Sequence, residues 1–143
     1  MDGYPLAPGA VQFIKTAAQL YPLAIASGAL RQEIDSVLDA TGLRCCFQSI
    51  LAAEDFIKGK PHPECYLQAL ERLNSDINGS SPIKPGECLV IEDSVDGVRG
   101  ARSAGMVCLA VSNTYPAQEL QEANRVLSSL ENLKPDDLRS LFQ

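Results

Sequence analysis

Residues 88–97 read CLVIEDSVDG. An apolar run ends in two adjacent carboxylates, Glu92 and Asp93, and Ser94 then opens a helical pattern, VDGVRGARSAG, that Gly105 closes. A short run that is apolar throughout, rather than alternating, is the pattern of a strand buried on both faces. A helix directly after it makes the unit from which parallel sheets are built. The unit recurs along the chain. PLAIAS (22–27) leads into a helix over ALRQEIDSVLDATG, with Gly42 as its stop. QSILAAE (48–54) is a second strand, followed by a helix at PECYLQALERL with Pro63 in its first turn and Leu67, Leu70 and Leu73 expected to face inward. MVCLAVSN is the fourth strand.

Ahead of the first strand, PGAVQFIKTAAQLY places Val11, Ile14, Ala18 and Tyr21 at helical spacing, and these are expected to point to the core. Residues 74–87, NSDINGSSPIKPGE, form a polar loop with a mobile tip expected, and the NGS at 78–80 reads as a turn. The tail holds a short helix near 117–123, a weak apolar segment VLSSL and a last helix from about Pro135. The fold class expected is α/β: one domain over residues 1–143, a doubly wound, Rossmann-like parallel sheet with helices on both faces. Right-handed crossovers place all strand C-termini along one edge, where such sheets bind ligands.

Composition narrows the partners. The net charge of −6 leaves no basic face to neutralise phosphates, which argues against a nucleic-acid partner. No run of Lys or Arg marks a membrane surface, and no apolar stretch approaches the roughly 18 residues of a membrane span. The opening MDGYPLAPGA lacks the regions of a signal peptide, so a cytoplasmic protein is expected. The five cysteines are odd in number and contain no C-x-x-C pair, which fits reduced thiols, with Cys88 and Cys108 as small core residues.

The chemistry is then sought just after each strand. After the first stands Ser27-Gly28, a hydroxyl and backbone N–H groups at a helix start, where an anion such as phosphate is received; a plain N-cap is the simpler role. After the second, KGKPHPE (58–64) fixes Lys60 between Gly59 and Pro61, where an ammonium holds a phosphate as a point charge unless it is an ordinary surface lysine. His62, the only histidine, is flanked by prolines and expected to be exposed and not catalytic. After the third, Glu92 and Asp93 suit a hard cation such as Mg²⁺, with capping of the next helix as the alternative for Asp93. Asp96, one turn into that helix, supports the loop or favours the positive helix end. A hydroxyl, an ammonium and a carboxylate pair at three successive strand ends suit a phosphate-and-magnesium site.

In these residues the sequence resembles the haloacid dehalogenase superfamily, closest to its branch of β-phosphoglucomutases and sugar-phosphate phosphatases. GKPHPE followed by VIEDSVDGVRGARSAGM carries the resemblance most specifically, with IASGA in order before it, and it covers about residues 8–113. The resemblance implies Mg²⁺-dependent hydrolysis of a small phosphorylated metabolite through an aspartyl-phosphate. It makes Ser27, with Gly28, the phosphate-binding group, and Lys60 the catalytic lysine between phosphate and nucleophile. Asp93 becomes the Mg²⁺ ligand, Glu92 a second ligand or orienting group, and Asp96 a supporting carboxylate. The run Gly28-Ala29-Leu30-Arg31 departs from the phosphoglucomutase pattern and favours phosphatase over phosphotransferase.

The family's attacking group is an aspartate in an Asp-x-Asp motif at the end of a first apolar strand, usually followed by a substrate-selecting cap. Neither precedes PGAVQFI here, and Asp2 in MDG is a poor substitute. The chain alone is therefore expected to be inactive, and a non-catalytic phosphate- or protein-binding remnant is the competing function. A receiver-type module is a third reading, against which GKPHPE argues. The family's first strand lies between those ending at Ser27 and Asp93. Leaving its neighbours' backbone groups unsatisfied costs about 1–3 kcal/mol each, so the gap is expected to close. Either the two strands pair directly, or another copy or second chain supplies a strand, or the chain is a piece of a longer protein.

Overall fold

The structure, a computed structural model, describes residues 8–77 and 81–142. Helices and strands alternate as α1 (Ala10–Ala18), β1 (Ala24–Ala26), α2 (Arg31–Thr41), β2 (Ser49–Leu51), α3 (Glu64–Ser75), β3 (Leu89–Glu92), α4 (Val95–Ser103), β4 (Val107–Val111) and β5 (Arg125–Leu127). Every pairing is parallel, in two groups: β1 with β2, and β3-β4-β5 in that order. Ala26 stands opposite Leu51, and Glu92 opposite Ala110, so the strand ends are aligned within each group.

Helices cover both faces. α3 packs on β1 and β2 and touches α4, which packs on β3 and β4. Their shared core holds Tyr66, Leu70, Val98, Ala101, Cys108 and Ala110, with Ala26 of β1 and Val90 of β3 both against it. On the other face α1 and the C-terminal 3-10 segment Pro135–Phe142 cover Leu109 and Val111, while α2 covers Ile25 and Ile50. β1 and β3 thus share the same core layers, as members of one sheet would. Among the described residues they do not pair, and the expectation that these two strands pair directly is corrected: a seam runs between them.

Two helical faces also differ from expectation. In α1 the buried side chains are Ala10, Phe13 and Ala17, while Tyr21 is 41% exposed beyond the helix end. Val11 and Ile14 are half-buried flanks, because α1 wedges between two core clusters rather than lying on one. In α3 the inward face is Cys65, Tyr66, Ala69 and Leu70, and Leu67 points outward at 42% exposure. Placing Cys65 and Tyr66 inward turns Leu67, about one hundred degrees further round, toward solvent. VLSSL contributes the end of a fifth strand, and the tail helices are 3-10 segments. Gly42 ends α2 with φ 71°, the left-handed conformation expected of a helix stop. The loop after α3 is clasped by Asn74, whose amide both donates to and accepts from the Ile83 backbone, at 3.0 and 2.7 Å. Asp2 and the turn at 78–80 lie outside the described residues.

Candidate active site

The seam opens at the C-terminal strand edge, and Lys60 spans it. Its Nζ donates to the Ala26 carbonyl at the end of β1, 3.0 Å away, and to Glu92 Oε2 at the end of β3, 2.5 Å away. Ser27 N–H donates to Leu51 O on the β2 side, so by strand alternation the Ala26 carbonyl faces the seam. An ammonium has three N–H donors, and these two bonds leave a third for a ligand. The Lys60 and Glu92 side chains are 18% and 10% exposed, so the pair is shielded from bulk water and held by more than surface attraction.

Glu92 is the hub of this arrangement. Oε2 also accepts from the Tyr66 hydroxyl at 2.6 Å, and Oε1 accepts from Asp93 N–H at 3.2 Å, with the Ser94 hydroxyl at 3.4 Å. Gly97 makes room for it: a Cβ there would lie 2.1 Å from Glu92 Cδ. Ser94 caps α4 by accepting from Gly97 N–H at 3.0 Å, which fixes the turn carrying both acids. Burial, and then the neighbouring charge of Glu92, raise the Tyr66 phenol far above its ordinary range, so it stays protonated.

Asp93 differs from its neighbour in every respect. It is exposed, and Oδ2 accepts from the Thr114 hydroxyl at 2.8 Å, in the loop after β4. Among the described residues Oδ1 has no protein donor, which leaves it to a cation at the edge. Asp96 is exposed in the first turn of α4, and among the described residues it makes no side-chain hydrogen bond to this cluster. No group of three or more His, Cys, Asp or Glu side chains gathers among the described residues. That donor set does not suit a transition metal. It does fit Mg²⁺, which takes one or two carboxylates and leaves its remaining positions to water and phosphate oxygens.

At the end of β1, Ser27 Oγ accepts from Ala29 N–H at 3.0 Å, leaving the hydroxyl proton free, and Gly28 is exposed beside it. The next amides are occupied by the chain's own acids. Leu30 N–H donates to Glu33 Oε1 at 3.1 Å and Arg31 N–H to Glu54 Oε1 at 2.9 Å. The Arg31 guanidinium is turned back to Asp55 and to the Ile50 carbonyl. The Ala52 N–H, and after it Arg31, hold the Asp55 carboxyl below its usual value. His62 is exposed, and its Nδ1 accepts from Glu64 N–H at 3.1 Å.

The structure therefore brings Ser27, Gly28, Lys60, Glu92 and Asp93 to one edge, and leaves Asp96 to one side. The sequence reading missed Tyr66 and Thr114. Thr114 follows the fourth strand, so the rule applied to the first three strand ends would have found it. Tyr66 carries the signal of any inward tyrosine, a hydroxyl that must find a partner.

Known proteins share the sequence pattern and the fold. The family model for haloacid dehalogenase-like hydrolases matches residues 1–105. The chain is 34% identical over 137 residues to the bifunctional riboflavin kinase/FMN phosphatase of Arabidopsis thaliana, covering 94% of this chain and 34% of that protein. It is 30% identical over 139 residues to the chloroplastic 5-amino-6-(5-phospho-D-ribitylamino)uracil phosphatase of the same plant, covering 96% and 35%. The crystal structure of β-phosphoglucomutase from Clostridium difficile superposes with a TM-score of 0.79 at 25% identity, covering 96% of this chain and 56% of that one. The chain thus spans about a third of the length of these two curated relatives.

Proposed function

The chain belongs to the haloacid dehalogenase-like hydrolase family, and from that premise we propose that it is the phosphate- and Mg²⁺-binding core of a phosphatase for a small phosphorylated metabolite. The observation that carries this is Lys60, fixed across the seam between Ala26, which precedes Ser27, and Glu92, which precedes Asp93, with one N–H left over. Ser27, Gly28 N–H and Lys60 receive the phosphate oxygens. Asp93, oriented by Thr114, holds Mg²⁺, which supplies neutralisation of the charge on the transferring phosphoryl group. Glu92 orients Lys60 rather than facing the cation, because both its oxygens already serve protein donors.

Hydrolysis needs an attacking carboxylate between Ser27 and Asp93. In the loop after β2, Glu54 and Asp55 are committed to α2, and Glu92 is committed to Lys60. The attacking group in this reading arrives on a parallel strand that fills the seam, from a preceding segment, a second copy or another chain. By itself the described part binds phosphate without turning it over, which is also what the non-catalytic reading requires. The phosphotransferase alternative is disfavoured by Arg31, whose guanidinium is spent on Asp55 and Ile50. Among the described residues no helix is long and apolar enough to cross a membrane.

Isothermal titration of the chain with inorganic phosphate tests the reading. The expected result is binding that requires Mg²⁺ and falls at least about tenfold in Lys60→Met, the loss of a charged hydrogen bond. Hydrolysis of p-nitrophenyl phosphate by the same sample stays at background. Phosphate binding indifferent to both Mg²⁺ and Lys60 contradicts the assignment.

A further inference from the structure

We infer that Tyr66 is a positioning residue for Lys60, an inference that rests on the phosphate-site reading above. Two independent contacts support it. The Tyr66 hydroxyl and the Lys60 ammonium meet on the same oxygen, Glu92 Oε2, at 2.6 and 2.5 Å. The Lys60 Nζ also stands over the Tyr66 ring, 5.0 Å from its centroid. One side chain thus fixes the lysine's counter-ion and provides the surface on which the cation rests.

The ring itself is held in place. Tyr66 is 4% exposed, its hydroxyl lies 2.9 Å from the Gly97 carbonyl, and a Cβ at Gly100 would come within 2.9 Å of its Cε2. Filling this space needs only a phenyl ring. The hydroxyl adds something else: with it, Oε2 is gripped from two sides and the carboxylate cannot turn about its last bond. Without it, Lys60 is the only side-chain donor on that oxygen among the described residues, and the carboxylate is held only through Oε1, by Asp93 N–H and the Ser94 hydroxyl, so it fixes the end of a flexible four-carbon stem less firmly. The third N–H of Lys60 then loses its fixed direction toward the edge between Ser27 and Asp93.

Tyr66→Phe separates these roles, since it keeps the ring and the packing. The readout is the side-chain ammonium signal of Lys60 in ¹⁵N NMR of the full chain, assigned by its loss in Lys60→Arg. In Tyr66→Phe its proton exchange is expected to quicken about tenfold, the factor for a lost hydrogen bond to a charged group. Protection of the Leu70 amide stays unchanged as a control for the fold, and Tyr66→Leu removes the ring-current shift of Lys60. Inorganic phosphate affinity with Mg²⁺ falls by a smaller factor than in Lys60→Met. Unaltered exchange in Tyr66→Phe, or acceleration matched by Leu70, overturns the inference. A wild-type chain that binds no phosphate overturns the reading of the site instead, because the exchange rate alone decides whether Tyr66 fixes Lys60.

Discussion

β3 and β4 are adjacent strands of similar composition, LVIE and VCLAV, yet they live in different surroundings. From Cys108 to Val111, β4 is at most 2% exposed, with a partner on each side and helices above and below. β3 has one partner among the described residues, none of its residues is fully buried, and Ile91 is 36% exposed. β1, across the seam, is half-exposed throughout. The difference is not one of strand propensity but of neighbours. On the closed side the sheet is a finished core. On the open side β1 and β3 have no strand partner across the seam among the described residues, and one backbone group there, the Ala26 carbonyl, is used to aim a lysine.

Truncation should expose the asymmetry most strongly. Leu109→Ala, at 0% exposure in β4, is expected to cost about 3 kcal/mol in urea unfolding, the transfer and cavity loss of a buried leucine. Ile91→Ala should cost at most about 1 kcal/mol, as for a substitution at a half-exposed site. Equal costs would mean that the seam is covered in solution. A smaller contrast concerns two glycines at the site. Gly97→Ala drives a methyl into the Glu92 carboxylate and should cost about 2 kcal/mol by overpacking. Gly28→Ala meets nothing within 4 Å and should cost no more than about 0.5 kcal/mol. A costly Gly28→Ala would place a neighbour against β1's end.

pH provides a further test, and it reports on the buried thiols. Burial raises the Cys108 thiol to about 12, and burial also raises Cys65, Cys88 and the Tyr66 phenol. An acid whose folded pKa is raised ionises first in the unfolded chain. Its stabilisation is whole below the unfolded value, near 9 for a thiol, and is lost as pH climbs toward the folded value. Stability in urea unfolding should therefore hold to about pH 8.5 and then fall, by up to about 1.4 kcal/mol per pH unit for Cys108, with Cys65 and Cys88 acting in the same direction. A midpoint flat to pH 10.5 would show these thiols in water.

Much of this was legible in the sequence, for a physical reason. Four apolar runs, each followed by a helix, fix an α/β fold with one functional edge, and family resemblance names residues on that edge. Ser27 and Asp93 were readable because each follows a strand directly, and Lys60 because Gly59 and Pro61 flank it in the loop after the second strand. The fifth strand was not, since Arg125–Leu127 has only Val126 and Leu127 as apolar content and acquires its strand geometry by pairing with β4. The inward face of α1 was misjudged because that helix touches two core clusters, where periodicity assumes one, and α3 was misjudged at Leu67 because Cys65 and Tyr66 turn inward. The division between Glu92 and Asp93 was equally invisible. Adjacent acids look alike in sequence, and only the ring of Tyr66, the space at Gly97 and the reach of Lys60 turn one inward while Thr114 holds the other at the surface.

The most direct test uses Mn²⁺, which shares the oxygen-ligand preference of Mg²⁺ and is paramagnetic. Added below stoichiometry to ¹⁵N-labelled chain, it should broaden the amide signals of Gly28, Lys60, Asp93 and Thr114 first. Thr16, Leu20 and Lys134, which line a separate cavity of about 660 Å³ beside α1, should be spared. Broadening that begins at the α1 cavity, or is spread evenly over the surface acids, would contradict a cation site at the mouth of the seam.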